Sequence, residues 1–287
     1  MRFTLAVGLG GYQDYLIVAQ AAEAAGWSAI SVPDSIFYPR LPEADYPSPA
    51  LRKFLATAPV IDPFVALSAI AAVTTRLRLV PGVLRLPMRQ PLAVAKATGS
   101  LAAMSGDRLL LGVGLSPWKE DFTYNGIDHA GRGARFDECI SVIRGCLSGD
   151  WFEYHGRNFD FGPLKMLPAP AQPVPIIIGG HSRPALARAA RLGDGWMSAN
   201  TSFASLQKMI SVLHTLRHDP GTHDRPDFRI FANDMNAAKV EDFRRLEDLG
   251  VTDAVATPWN PFDAGISLRL KLDGLRRFAD AVIARFA

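Results

Sequence analysis

The stretch that decides the fold is residues 76–115, RLRLVPGVLRLPMRQPLAVAKATGSLAAMSGDRLLLGVGL. Residues 77–84 are almost continuously apolar, which is typical of a strand buried on both faces of a parallel sheet. A polar, basic loop covers 85–90, and a proline then begins a predicted helix over 91–104, because proline is favoured at the first helical position. Residues 108–114 are predicted to form the next buried strand. The stretch is therefore a βαβ unit, and α/β folds place their ligands at the loops that follow such strands.

The same alternation of strand and helix repeats along the whole chain. Eight strands are predicted, at residues 3–8, 27–32, 77–84, 108–114, 175–178, 194–198, 228–234 and 251–256. The helices that follow them are predicted at 13–25, 63–73, 91–104, 133–147, 183–191, 203–217, 237–248 and 268–286. Right-handed parallel units of this number close into a barrel. We therefore predict a single α/β domain over 1–287, a (β/α)8 TIM barrel.

Two departures from a minimal barrel are predicted. Two short runs, 151–154 and 158–161, predict a hairpin inserted between strands 4 and 5. A long, proline-rich loop over 33–62 follows strand 2. A loop of this length in a compact domain is commonly functional, so it is interpreted either as part of a lid over the substrate or as a variable insertion.

A dinucleotide-binding fingerprint is the rival interpretation of the first unit. Gly8 and Gly10 follow a strand, and Asp34 closes the next one. Gln13 occupies the position of the third glycine, however, and Asp34 lies further along than the usual spacing of about 20 residues. The incomplete fingerprint and the number of later units favour the barrel.

Composition excludes several classes of protein. The 287 residues carry 31 basic and 28 acidic side chains, a net charge of +3, which is too balanced for a nucleic-acid-binding protein. No uninterrupted apolar run reaches the 18 residues that a membrane span needs. MRFTLAVGLGG is interpreted as the first strand rather than as a secretory signal. Cys139 and Cys146 lie on the apolar face of one predicted helix, as buried free thiols. A cytoplasmic protein is expected.

Five blocks of sequence carry a resemblance to a known family: residues 62–79, 76–114, 118–126, 135–150 and 175–196. They resemble the luciferase-like monooxygenase superfamily, and within it the branch that uses the deazaflavin coenzyme F420. The resemblance implies an oxidoreductase that moves a hydride between the deazaflavin and a small organic substrate. Two alternatives stay open: an FMN-dependent monooxygenase of the same fold, and a protein that binds flavin or deazaflavin without turnover.

The resemblance also implies where the cofactor lies. Strand 3 would back the ring through a bulge with a non-proline cis peptide at Gly82–Val83, where glycine lets the backbone approach closely. The segment 179–182 precedes a helix, whose N-terminal N–H groups suit a phosphate. Arg85 and Arg89 could contact the acidic tail of the coenzyme. The predicted cofactor-binding residues are Asp34, Gly82, Val83, Leu84, Arg85, Leu115, Ser116, Gly179, Gly180, His181 and Ser182.

Asp34 and Glu120 are the predicted catalytic residues. Asp34 lies at the carboxyl end of a barrel strand, where polar side chains are typically functional. Relatives that oxidise sugar phosphates have a histidine and a glutamate where this chain has Ser35 and Pro117, neither of which can act as acid or base at neutral pH. The other candidates for proton transfer are Asp121, His129 and His181.

No metal site is predicted. His214 and His218 lie four residues apart on a helix, with His223 nearby, but at the end of the barrel opposite the predicted site. A homodimer is expected instead. Relatives dimerise through this region, and the small residues Ala95, Gly99 and Ala102, together with the apolar helix 63–73, suit packing against a second copy.

Overall fold

The computed structural model describes residues 1–9, 11–40, 52, 54–219, 226–263 and 265–286. Its strands, in chain order, are β1 (Arg2–Ala6), β2 (Ala29–Val32), β3 (Arg78–Pro81), β4 (Leu84–Arg85), β5 (Leu111–Gly114), β6 (Phe152–His155), β7 (Asp160–Leu164), β8 (Ile176–Gly179), β9 (Gly195–Met197), β10 (Arg229–Ala232) and β11 (Asp253–Ala256). Its helices are α1 (Tyr15–Ala24), α2 (Pro63–Val73), α3 (Pro91–Ser105), α4 (Glu120–Thr123), α5 (Arg132–Cys146), α6 (Arg183–Leu192), α7 (Phe203–Arg217), α8 (Val240–Asp248) and α9 (Leu268–Ala281).

Nine of the strands form one sheet, in the order β3-β2-β1-β11-β10-β9-β8-β5-β4, and every pairing in it is parallel. The two ends of this order, β3 and β4, are consecutive pieces of one strand, separated by Gly82 and Val83. A parallel bridge between Leu79 and Leu109 joins β3 to the segment that leads into β5. The sheet therefore curls into a barrel with eight strand positions, as the sequence predicts.

The interior of the barrel is filled by one residue from each of seven strand positions: Ala29, Val80, Leu110, Ile177, Met197, Phe231 and Val255. Neighbours along the same strands, such as Ile176 and Ile178, belong instead to the larger cluster between the sheet and the helices. Side chains alternate between these two layers because successive residues of a strand point to opposite faces of the sheet.

Local capping sets the bounds of several helices. Asp62 begins α2 by accepting hydrogen bonds from the backbone N–H groups of Phe64 (2.9 Å) and Val65 (3.3 Å). α3 begins at Pro91 and ends at Ser105, directly before Gly106, whose φ of 66° is left-handed. α2 and α7 have the predicted bounds. α8 begins at residue 240 rather than 237, because the backbone N–H groups of Ala238 and Lys239 bond to the Asp242 carboxylate and so form the cap.

The structure also tests the predicted hairpin, the two cysteines and the last helix. The predicted insertion is confirmed as the antiparallel hairpin β6–β7 between β5 and β8. Cys139 and Cys146 are buried free thiols, as predicted. The helix predicted over 268–286 ends at residue 281 and is followed by a 3-10 turn over 283–285. No helix in the described ranges combines the length and the apolar character that a membrane crossing requires.

The expected dimer face is partly wrong. Ala95, Gly99 and Ala102 are buried inside the chain rather than exposed. A Cβ added at Gly99 would lie 2.8 Å from the carbonyl oxygen of Pro168 and 3.1 Å from Leu147. The small side chains of α3 therefore allow close packing within the protein, and they are not available to a second copy.

A buried carboxylate closes the amino-terminal end of the barrel. Asp253 is fully buried and accepts two hydrogen bonds from Arg2, two from Arg229 and one from the Thr252 hydroxyl. Burial alone would raise the pKa of Asp253, but the bonds from Arg2 and Arg229 outweigh it and the pKa is lowered. The charge therefore ties β1, β10 and β11 together.

We predict that Asp253→Ala lowers the free energy of unfolding by about 3–5 kcal/mol, because Arg229 would be left buried without its partner. Asp273→Ala is the control: it removes exposed ion pairs with a separation of 3.8 Å and should cost less than about 1 kcal/mol. Urea denaturation measures both. Because the folded-state pKa is lowered, the contribution of Asp253 is present above about pH 4 and is lost as the pH falls through the folded-state pKa. Equal losses for the two variants would contradict this role.

Candidate active site

A cavity of about 500 Å³, here called the site cavity, lies at the carboxyl ends of the barrel strands. The described residues that line it come from the segments after β1, β2, β5, β8 and β9, from the junction of β3 and β4, and from α5 and α6. They are Leu9, Pro33, Asp34, Ser35, Leu55, Gly82, Val83, Arg85, Gly114, Leu115, Pro117, Trp118, Phe136, Gly179, Gly180, His181, Ser182, Ala185, Arg188 and Ala199. The site cavity thus lies at the end of the barrel where its fold predicts a ligand.

One wall of the site cavity is backbone. The peptide bond between Gly82 and Val83 is cis, which confirms the bond implied by the resemblance. The Val83 side chain leans over two glycines of neighbouring strands: a Cβ would lie 2.6 Å from it at Gly114 and 3.1 Å at Gly179. The missing side chains at these two positions make room for Val83, and the result is a smooth, apolar wall.

The structure gives Gly82 a second role besides the one inferred from the sequence. A Cβ added there would collide with the Ser31 hydroxyl, and its next neighbours are the Cβ of Ser31 (3.4 Å) and the sulfur of Met197 (3.9 Å). Ser31 and Met197 are both buried. Gly82 therefore avoids a clash with the barrel interior, in addition to contributing backbone to the cavity wall.

Asp34 lines the site cavity with a carboxylate held on both oxygens. Oδ2 accepts the backbone N–H of Arg85 at 2.8 Å, and Oδ1 accepts the guanidinium of Arg89 at 2.7 Å. Burial raises the pKa of Asp34 above its ordinary value, although the charge of Arg89 and the N–H of Arg85 oppose it. The same arrangement shows that Arg89 is bound within the protein, with a second, longer contact of 3.5 Å to Asp62.

Arg85 is fixed from two sides. Its guanidinium contacts the fully buried Asp121 at 2.6 Å and stacks over the Trp118 ring, 4.5 Å from the centroid. The Ser116 hydroxyl donates to the same oxygen of Asp121 and accepts the backbone N–H of Trp118. The segment after β5 thus folds around Asp121 and presents Arg85 as a rigid cation at the site cavity.

The segment 179–182 connects β8 to α6 at the other side of the site cavity. Gly180 has a φ of 127°, and its carbonyl oxygen accepts the indole N–H of Trp196 at 2.8 Å. Ser182 caps α6 by accepting the backbone N–H of Ala185. His181 Nε2 accepts the backbone N–H of Ala199 at 2.9 Å, which leaves the ring hydrogen on Nδ1. Burial lowers the pKa of His181, so it is a neutral donor at pH 7.

The described part of the loop after β2 lies at the same mouth. Pro33, Asp34, Ser35 and Leu55 line the site cavity together with Arg85 and the segment 179–182, as expected. Phe37 stacks on Tyr124 at 5.6 Å, and Tyr38 meets Trp118 edge-on at 5.4 Å. Residues 41–51 and 53 of this loop, and His223, lie outside the described residues.

The site cavity brings together nine of the predicted site residues: Asp34, Gly82, Val83, Arg85, Leu115, Gly179, Gly180, His181 and Ser182. Among the described residues, Leu84, Ser116 and Glu120 are buried beside it but do not line it. The sequence missed Arg188, which lines the cavity and contacts Asp137 at 2.5 Å. The sequence pattern that could have identified Arg188 is its place on the apolar face of α6, one turn from Ala185 and next to Ala189.

Fold and site together define a (β/α)8 barrel protein with a cavity of small-molecule size at the carboxyl ends of its strands. The sequence profile of the luciferase-like monooxygenase family matches residues 3–238, and the chain belongs to this family. An uncharacterized protein of Mycobacterium tuberculosis (strain ATCC 25618 / H37Rv) is 43% identical over 290 residues, covering 99% of this chain and 100% of that protein.

Two solved structures share the fold over the full chain. The monooxygenase RslO1 from Streptomyces bottropensis superposes with a TM-score of 0.77 at 20% identity, covering 100% of both chains. The coenzyme F420-dependent tetrahydromethanopterin reductase from Methanopyrus kandleri superposes with a TM-score of 0.75 at 14% identity, covering 100% of this chain and 99% of that one. At these identities the likeness establishes the fold.

The contact at Gly82 generates a stability prediction. Gly82→Ala should lower the melting temperature, because the added methyl group meets the Ser31 hydroxyl in a closely packed interior; overpacking of this kind costs about 1–3 kcal/mol. Ser31→Ala removes that hydroxyl, so the double variant should recover much of the loss. The four proteins form a double-mutant cycle that calorimetry can measure. Strictly additive effects would show that Gly82 is not constrained by Ser31.

Proposed function

We propose that the protein is a coenzyme F420-dependent oxidoreductase that transfers a hydride between the deazaflavin and a small organic substrate. The observation that carries the proposal is the smooth wall formed by the Gly82–Val83 backbone and by Val83 over Gly114 and Gly179. A flat ring needs such a wall on one face and open space on the other, and a site cavity of about 500 Å³ supplies that space. When bound, a deazaflavin supplies a two-electron hydride carrier.

The protein residues around that wall would have distinct tasks. Arg85, fixed by Asp121, would face the anionic part of the cofactor, as would the N–H groups at the start of α6 and the Nδ1–H of His181. Asp34 is the first candidate for proton transfer, since burial raises its pKa. Its Oδ2, whose partner is an uncharged N–H, is the atom at which a proton would add. Glu120 stays a predicted catalytic residue, but it does not share the cavity lining with the other described residues.

A second candidate function is an FMN-dependent monooxygenase. It is favoured by the full-length structural likeness to the monooxygenase RslO1. The deazaflavin is preferred because the sequence blocks resemble the F420 branch; an F420-dependent reductase superposes over the whole chain nearly as well as RslO1 does. Titration of the apo-protein with F420 and with FMN, followed by fluorescence, separates the two. We expect F420 to bind at least tenfold more tightly; the reverse order would favour the monooxygenase, and binding of neither would refute both.

Arg85 gives a sharper test of the cofactor site. Asp121 would be left as an unpaired buried charge by Arg85→Gln alone, so the variant to make is Arg85→Gln with Asp121→Asn. A hydrogen bond to a charged group contributes about 1.5–3 kcal/mol, so we expect F420 affinity to fall about tenfold or more and to depend less on salt.

The control for that test is Arg157→Gln, which removes an exposed arginine that does not line the site cavity. Its affinity for F420 should match that of the parent protein. Melting temperatures of all three proteins show whether the fold is kept. A folded double variant that binds F420 as tightly as the parent would exclude Arg85 from the cofactor site.

We also propose that the protein is a homodimer, through α2, which is the part of the expected face that remains exposed. The exposed side of α2 consists of Val65, Ser68, Ala69 and Ala72 and carries no charge. α2 packs between α1 and α3, where Leu16 and Ile17 of α1 and Met104 of α3 are also exposed. Exposed apolar side chains on neighbouring helices are typical of an interface.

Val65→Asp should convert the dimer to a monomer, since it would bury a charge at the centre of the contact. Leu270→Asp is the matched control, because Leu270 is a similarly exposed apolar residue on α9 (54% against 65% for Val65) and should leave the dimer intact. Sedimentation velocity at micromolar concentration measures both. A monomeric parent protein would rule out the dimer.

A further inference from the structure

A second cavity of about 650 Å³ lies at the same end of the barrel as the site cavity. It is lined by the segments that follow β1, β9, β10 and β11, and by α8 and α9. Leu9 lines both cavities, so they share a wall. Leu9 is the sole lining residue common to both within the described ranges, so different segments of the chain form the rest of each lining.

Most of the surface of the second cavity suits an apolar or aromatic molecule. Phe243 and Phe278 pack edge-to-face at 5.4 Å and both line it. Trp259 and Phe262 line it from the segment after β11, and Phe262 is 47% exposed. A ligand that covers these rings would gain the free energy of burying aromatic surface.

The polar groups of the second cavity include a cation without a partner. Arg277 of α9 lines it and makes no ion pair or hydrogen bond with any residue that the structure describes. The side-chain amides of Asn200 and Asn233 line it too, likewise without a partner in that part of the chain. The described part of the lining also contains one carboxylate, that of Asp234, whose Oδ1 accepts a hydrogen bond from the backbone N–H of Asn236 at 3.1 Å.

This pattern contrasts with the site cavity. There, Arg85 contacts Asp121 and Arg188 contacts Asp137, so both arginines of the lining already have carboxylate partners. In the second cavity, Arg277 has no carboxylate partner in the described part of the chain, whereas Asp234 is held by a backbone N–H of its own loop. The group that would pair with Arg277 is an anion, supplied by a ligand.

We infer that the second cavity is a binding site for an aromatic or similarly apolar monoanion, with its rings against Trp259 and the phenylalanines and its anionic group at Arg277. Asn200 and Asn233 would provide further hydrogen bonds to that ligand. The inference rests on the shape and charge of this cavity and is independent of which cofactor the site cavity binds.

The test compares 2-naphthoate with its neutral counterpart, 2-naphthamide, by isothermal titration calorimetry on the full-length protein. We expect Arg277→Gln to weaken binding of 2-naphthoate about threefold to tenfold, a modest factor because Arg277 is exposed and water screens its charge. Binding of 2-naphthamide should not change. Trp259→Ala should weaken both compounds, because it removes a ring that either of them would cover.

Arg276→Gln is the matched control. Arg276 is the neighbouring residue on α9, carries the same charge, and makes a 3.8 Å contact with Asp273 instead of lining the cavity. It should bind 2-naphthoate as the parent protein does. Equal effects of Arg276→Gln and Arg277→Gln, or no effect of either, would overturn the inference, as would failure of 2-naphthoate to bind at millimolar concentration.

The same titration is repeated in the presence of saturating FMN or F420. Binding of 2-naphthoate that persists, with its dependence on Arg277 unchanged, supports a separate site. Binding that the cofactor displaces, or that the Arg85→Gln/Asp121→Asn variant abolishes while Arg277→Gln does not, would place the compound in the site cavity and refute the second site.

Discussion

The mouth of the barrel depends on the neutralisation of two buried carboxylates, Asp34 after β2 and Asp121 in α4. A buried charge without a partner costs several kcal/mol, so each must meet a cation. Both cations come from one short segment: Arg89 contacts Asp34 at 2.7 Å, and Arg85 contacts Asp121 at 2.6 Å. These two ion pairs hold the segment 85–90 against the segments that follow β2 and β5, the strands on either side of β3–β4. The backbone at Gly82–Val83 is held between them as a wall of the site cavity.

These ion pairs also determine what the site cavity presents to a ligand. The guanidinium of Arg85 is held in one position, because it contacts Asp121 and stacks on the Trp118 ring. Tyr38, from the segment after β2, packs edge-on against the same indole. The position of the described part of that loop and the position of the cation are therefore coupled through Trp118. A binding group held in this way loses little conformational entropy when a ligand arrives, which is the advantage of preorganisation.

Local signals were enough to predict the barrel but not its site. α2 and α7 could be predicted to the residue because each begins directly after a residue whose side chain caps it, Asp62 for α2 and Ser202 for α7. The short helix α4 was missed, since four residues carry no measurable period. The partners of Arg85 and Arg89 are 36 and 55 residues away, a separation that no local pattern reports. For the same reason the sequence selected Glu120 over Asp121, and interpreted the small residues of α3 as a face for a second copy.

The pKa values of the buried carboxylates at the two ends of the barrel shift in opposite directions, because the two groups accept different numbers of hydrogen bonds. Asp253, at the amino-terminal end, accepts five hydrogen bonds, and its pKa is lowered despite burial. Asp34, at the carboxyl end, accepts two, and burial prevails: its pKa is raised. By linkage, ionised Asp253 adds stability at neutral pH, whereas ionised Asp34 reduces it. An under-satisfied carboxylate is a cost to the fold, and here it lies in the wall of the site cavity. The pairing of Asp253 at the amino-terminal end therefore offsets part of the stability that ionised Asp34 removes at the carboxyl end.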